Sequence, residues 1–256
     1  IIILNLIIII SLFFILSCKK QVPLISGTPS DEKEEYVVLI DNCEDNDDVN
    51  FWNGIWYTNY DNFGDTIIYP KLTEKFYMTR GGSPESPGYC ARIVGYIGPQ
   101  QGVRPGPEPG QEIPDDYYYA FGGVTINLSP RSSLKPYDLS KYTGIRFNCK
   151  LGTVKIKEDK PLNDSIKVLL RRKRTDDTTG AEFEVTIGSL PFNEWTPIKV
   201  KFDDFHQVTT FPEKQRPLKP FDDIEAIYIY PNTDTKDMNF DISIDDVGLY
   251  YIKDKI

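Results

Sequence analysis

The sequence predicts an all-β fold built as a two-sheet antiparallel β-sandwich. Three observations predict it. Ten short apolar segments follow one another along the chain, and several alternate apolar with polar residues at the period of two that a half-buried strand imposes. Gly, Pro, Asn and Asp punctuate the intervals, as turn chemistry requires, and helix-period patterns are nearly absent.

In chain order the predicted strands are YVVLID (36–41), GIWYTNYD (54–61), GYCARIVGYIG (88–98), YYYAFGGVTINLS (117–129) and TGIRFNCKL (143–151). SIKVLLRRKR (165–174), EFEVTIGSL (182–190), TPIKVKF (196–202), EAIYIYPN (225–232) and FDISIDDVGLYYI (240–252) complete the set. In GIRFNCKL, Ile145, Phe147, Cys149 and Leu151 share one face, and Arg146, Asn148 and Lys150 share the other. In AIYIY, Ile227 and Ile229 oppose Tyr228 and Tyr230. Gly122-Gly123 inside a strand is expected to mark a bulge. Trp52, Trp56 and Trp195 are expected in the core.

The 256 residues open on IIILNLIIIISLFFILSCKK (1–20), a continuous apolar run that ends at Ser17-Cys18 before two lysines. It is slightly short for a spanning helix and suits a secretory signal. A small residue followed at once by cysteine resembles a bacterial lipoprotein signal. Residues 1–18 are therefore read as a signal peptide, with Cys18 as the residue that takes the lipid; a plain N-terminal membrane anchor is the alternative. Either way the remainder is exported, to the cell envelope in periplasmic or surface-exposed form. Residues 19–35, including QVPLISGTPSDEKEE, lack an apolar period and read as a disordered tether. Residues 36–256 form one domain, interrupted at 98–116 by GPQQGVRPGPEPGQEIPDD, whose Pro and Gly content denies it strand or helix and leaves it either disordered or functional.

A net charge of −9 and a pI near 4.8 argue against nucleic acid as a partner and against docking on anionic lipid. Past the leader stand Cys43, Cys90 and Cys149. An odd number allows at most one disulfide, so they read as small core residues, with a Cys43–Cys90 bridge as the alternative.

Four motifs recur in a telling order: IDNCEDNDDVNFW (40–52), YDLSKYTGIRFNCKLG (137–152), NEWTPIKVKFDDF (193–205), and FDDIEAIYIYPN followed by FDISIDDVGLYY (221–251). The series resembles the galactose-binding-like jelly rolls, in particular the family 11 carbohydrate-binding modules and the related complex I intermediate-associated protein 30 domains. The resemblance covers most of 36–252. It implies a jelly-roll sandwich, commonly with one structural Ca²⁺, often with a glycan groove, and usually without catalysis. Where the family opens on Asp-Asp-Phe-Glu-Asp, this chain has Asp41-Asn42-Cys43-Glu44-Asp45. The closing motif is intact as Ile244-Asp245-Asp246-Val247.

The Asp245-Asp246 pair interrupts an otherwise apolar strand. If the first and last strands are neighbours, Asp41, Glu44, Asp245 and Asp246 converge at one sheet edge. Carboxylates that close repel, and a hard dication with six to eight oxygen ligands removes the repulsion. Together with the resemblance, this makes a structural Ca²⁺ held by these four residues and backbone carbonyls the expected cofactor. The alternative is a bulge with both aspartates in water.

Enzyme readings are weak. His206 is the single histidine, no phosphate-binding loop occurs, and acid pairs such as Asp203/Asp204 and Asp222/Asp223 sit at strand-end turns where Asp is ordinary. Sixteen tyrosines favour binding instead. Aromatic faces hold the C–H surfaces of sugars, and planar polar groups take paired hydrogen bonds. Arg146, Asn148, Arg171, Tyr228 and Tyr230 are the expected ligand-binding set, provided their strands share a sheet; Tyr117–Tyr119 add further rings. The expected function is non-catalytic binding of a polysaccharide or glycan. The alternatives are a structural or assembly protein that holds another protein and, behind it, a carbohydrate-active hydrolase.

Overall fold

The computed structural model describes residues 24–26, 33–60, 66–98, 121–130, 135–173, 182–208, 221–232 and 237–254. They form strands β1 (Leu24–Ser26), β2 (Lys33–Asp41), β3 (Trp56–Tyr60), β4 (Ile67–Tyr69), β5 (Thr79–Arg80), β6 (Tyr89–Ile97) and β7 (Gly122–Asn127). β8 (Gly144–Leu151), β9 (Ile166–Arg172), β10 (Glu182–Ile187), β11 (Thr196–Lys201), β12 (His206–Val208), β13 (Ile224–Pro231) and β14 (Met238–Asp254) follow. The one helical element among them is a 3-10 turn, Phe202–Asp204.

All pairings between the named strands are antiparallel, in two sheets. One has six strands in the order β12-β10-β9-β13-β7-β3; the other has eight and is organised around β14. Alternation explains the sandwich. Val124, Ile126, Val168, Leu170, Ile227 and Ile229 of the six-stranded sheet pack in one core with Ile145, Phe147, Ile242 and Ile244 of the eight-stranded sheet.

β14 holds its sheet together. Ile242, Ser243 and Ile244 pair with both β6 and β8, so those strands lie on opposite edges of β14. Gly248, Leu249 and Tyr250 pair with both β2 and β8. β2 and β6 therefore follow one another along a single edge, and the handover falls at Asp245-Asp246. The register with β8 shifts between Asp245 and Gly248, and Asp246 takes a left-handed φ of 51°. The first and last strands of the domain are neighbours, as expected.

Each of the ten predicted segments overlaps one of these strands. β4, β5 and β12, of two or three residues, are too short to show a period. β1 corrects the tether reading: Leu24–Ser26, inside 19–35, pairs with Tyr36–Val38, and β2 begins at Lys33 rather than Tyr36. Backbone pairing gives the far edge of β2 hydrogen-bond partners that side-chain pattern does not reveal. Trp56 is in the core and Trp52 packs against it, but Trp195 is half-buried with Lys150 Nζ 4.8 Å above its ring. Cys43, Cys90 and Cys149 are free, buried thiols, so the small-core reading holds over the disulfide. Residues 1–18 with Cys18, residues 99–116 of the insertion, and Tyr117–Tyr119 lie outside the described residues.

Candidate functional site: the outer face of the six-stranded sheet

Strand register places one residue from each of six strands on a single rung of the outer face. Tyr57 on β3 pairs with Thr125 on β7, which pairs with Tyr228 on β13, then Leu169 on β9, Glu184 on β10 and His206 on β12. The period of two puts Tyr230 and Lys167 on the next rung, and Ala226, Arg171 and Glu182 on the one before. The rings of Tyr228 and Tyr230 stack with centroids 5.6 Å apart, and Phe121 meets Tyr230 edge-on at 5.9 Å. Gly123 makes room for this: a Cβ there would lie 1.9 Å from Tyr230 Cδ1.

Polar groups frame the rings. Arg171 Nη1 donates to Tyr228 Oη at 2.5 Å, and Lys167 Nζ and His206 Nε2 lie 3.4 and 3.5 Å from Glu184 Oε1. Burial pushes the Tyr228 phenol up to about 12 against the pull of Arg171, so it stays a neutral hydroxyl. Two atoms of this face, Thr125 Oγ1 and Arg171 Nε, are buried without a hydrogen-bond partner; Thr66 Oγ1 is the third such atom among the described residues. Arg171 Nε also faces Glu225 Oε2 at 4.0 Å, so its charge is paired even where its N–H makes no hydrogen bond.

The structure divides the five expected ligand-binding residues between two sheets. Arg171, Tyr228 and Tyr230 belong to this face; Arg146 and Asn148 are on β8 of the other sheet. The single groove therefore needs correction, because period fixes which side of a strand a residue takes and not which sheet the strand joins. Arg146 pairs with Glu85 at 3.2 Å. Asn148 is buried and donates Nδ2 to Asp246 Oδ2 at 3.0 Å, so its amide serves the fold. Tyr228 faces outward yet is only 2 % exposed, packed with Leu169 and Ala226. Tyr57, Thr125, Lys167, Glu182 and Glu184 were not singled out beforehand; the alternation of Tyr57 with Trp56 and Thr58 was the one available signal.

The four acids expected to hold Ca²⁺ do gather near the bulge, but protein donors occupy them. Trp56 Nε1 and the Cys43 amide donate to Asp41 at 2.6 and 2.9 Å. The Ser83 and Asp246 amides donate to Asp245 at 2.7 and 2.8 Å. Ser83 Oγ, Ser86 Oγ and Asn148 hold Asp246, and the Gly88 and Tyr89 amides hold Glu44. Among the described residues no three His, Cys, Asp or Glu side chains are placed to hold a metal ion. The set does not fit a calcium cradle: N–H and O–H groups do the neutralising that a cation was expected to do. Nor are the aspartates in water, since Asp41 and Asp245 are fully buried. Burial first, then Asp246 and Glu44, push the Asp245 carboxyl up to about 7.

The acid pairs nominated for hydrolysis have ordinary surroundings. Asp222 and Asp223 bind Arg172, and Asp203 and Asp204 are exposed on the 3-10 turn.

No family model matches the sequence, and no curated protein matches it. Solved structures do. The family 11 carbohydrate-binding module of the cellulosomal cellulase Lic26A-Cel5E of Clostridium thermocellum aligns over 83 % of this chain and 93 % of its own, with a TM-score of 0.50 and 15 % identity. The family 11 module from the same organism in complex with a β-1,3-1,4-mixed-linked tetrasaccharide aligns over 76 % and 87 %, with a TM-score of 0.49 and 14 % identity. The chain has the fold of a family 11 carbohydrate-binding module. The expected jelly roll is thereby borne out, and at these identities the likeness speaks for the fold alone.

Proposed function

We propose that the domain binds a glycan chain, without cleaving it, on the outer face of its six-stranded sheet. The observation that carries this reading is the Arg171 guanidinium set beside the stacked rings of Tyr228 and Tyr230 on one outer face. Sugars present hydroxyls for the first and C–H faces for the second. The carbohydrate-binding-module fold supports the same reading. Tyr230 and Tyr57 supply the accessible ring surface, Arg171 the directed donors, and Glu182 with Glu184 the acceptors. No pair of carboxylates on this face is assigned to acid–base work.

Affinity electrophoresis against mixed-linkage β-glucan, xyloglucan and galactan tests the proposal. Retention by at least one is expected, weakened about tenfold or more by Tyr230→Ala or Arg171→Ala and unchanged by Tyr77→Ala, an exposed ring elsewhere. No retention on any polysaccharide sinks it. The near-complete burial of Tyr228 favours a second reading, in which the face holds another protein, since a sugar platform needs open ring area. Release of reducing ends from a retained polymer would move the domain into the hydrolases.

The setting we propose is the bacterial envelope, with lipid on Cys18. Metabolic labelling with palmitate in a bacterial host should mark the full chain and be lost in Cys18→Ser; labelling that survives the substitution overturns the anchor.

A further inference from the structure

The outer face of the eight-stranded sheet carries a separate hollow. Ser243 on β14 pairs with Arg92 on β6 along one edge and with Lys150 on β8 along the other. A short side chain between two long cations leaves a depression walled by charge. A pocket of about 180 Å³ opens there, and Arg80 joins its lining. Asp241 is the single carboxylate in that lining.

The charges do not balance. Asp241 is committed to Arg92, accepting from its Nε and Nη2 at 2.8 Å each, and the Val154 amide adds a third bond at 3.2 Å. This side-on grip leaves the Nη1 end of the Arg92 guanidinium unspent. Gly152 keeps the approach open, since a Cβ there would fall 2.0 Å from Asp241 Oδ2. Lys150 rests over Trp195, and Arg80 stands 6.0 Å from the Tyr89 ring; neither pairs with a carboxylate among the described residues. Cys90, also lining the pocket, stays a neutral thiol because burial pushes it up to about 11. Two positive charges in excess thus converge on a hollow in a chain whose net charge is −9. Cations across a rung repel, and a fold gains nothing by crowding them unless an anion joins them.

We propose that this pocket binds one oxyanion, the carboxylate or sulfate group of an acidic ligand such as a uronic or sulfated sugar. Its volume leaves room for one such group and part of the ring that bears it. Arg92, preset by Asp241, offers two donors in a plane. Lys150 and Arg80 close on the anion from the sides, and Trp195 gives the rim an apolar surface.

Calorimetric titration at constant ionic strength tests this with sodium sulfate, sodium glucuronate and glucose. Saturable binding of glucuronate, sulfate or both is expected, with glucose inert. Glucuronate alone identifies a sugar carboxylate, and sulfate alone a sulfate ester. Arg80→Gln with Lys150→Gln should weaken the anion about tenfold or more. Affinity of the unaltered protein should fall as sodium chloride is raised, a readout independent of whether the variant folds. No saturable binding of either anion, glucose binding as well as glucuronate, or affinity indifferent to both salt and the double substitution would each overturn the proposal. Tyr230→Ala, on the other sheet, should leave anion binding unchanged, so failure of the glycan face and failure of this pocket are told apart.

Discussion

Asp245 illustrates how a single side chain is tuned by its enclosure. An unfolded aspartate titrates near 3.9, and in the fold burial raises this one to about 7. Between about pH 4 and pH 7 the native chain therefore keeps a proton that the unfolded chain has lost. Stability from this group is full below about pH 4 and is lost as pH rises through 7. In Asp245→Asn, denaturant melts from pH 4.5 to 7.5 should show a shallower decline than the parent; an identical slope would rule out this titration. Its neighbour Asp246 depends on hydroxyls. Ser83→Ala removes the 2.6 Å donor and should cost about 1–3 kcal/mol, with Ser86→Ala costing less because Ser86 is more exposed.

At the scale of the element, β13 and β14 are read differently by their two faces. The inward isoleucines of β13 were expected in the core and are there. Of its outward tyrosines Tyr228 packs nearly as tightly, so Tyr228→Ala should lower stability by about 3 kcal/mol as well as disturb binding. A melting temperature unaltered by that change would mean the ring is free after all. Gly123→Ala on β7 forces a Cβ to 2.5 Å from the Ile229 carbonyl oxygen as well as into Tyr230, and should cost about 1–3 kcal/mol with loss of glycan affinity. β14 shows why an Asp pair survives in a closing strand. It sits where one neighbouring strand ends and the next begins, and loop residues 83–86 supply donors that no adjacent strand offers there.

At the scale of the whole molecule, the two outer faces of the sandwich differ in chemistry, with stacked tyrosines and Arg171 on one sheet and three clustered cations on the other. Since every carboxylate of the expected calcium set already has protein donors, EDTA should leave the melting temperature of the purified domain unchanged. A fall on chelation, reversed by Ca²⁺, would reveal a cation supported by other residues. How much of this was legible beforehand follows from particular residues. Alternation in GIRFNCKL gave Arg146, Asn148 and Lys150 their shared side, and that parity held. It was silent on the rung that joins Lys150 to Ser243 and Arg92, three residues between 58 and 151 positions apart in sequence. It was equally silent on Asn148 turning its amide to Asp246.

What the sequence by itself determined is the longer strands, the inward face of those that alternate and the all-β sandwich, because a period of two and turn residues are local properties written in neighbouring positions; the jelly-roll class was what the order of the motifs resembled. Only the tertiary structure decided which sheet each strand joined, and with it the separation of Arg146 from Tyr228, the enclosure of the Asp pair and the meeting of three cations. Those depend on register between distant segments, where a shift of one residue exchanges every face and no local pattern records the choice.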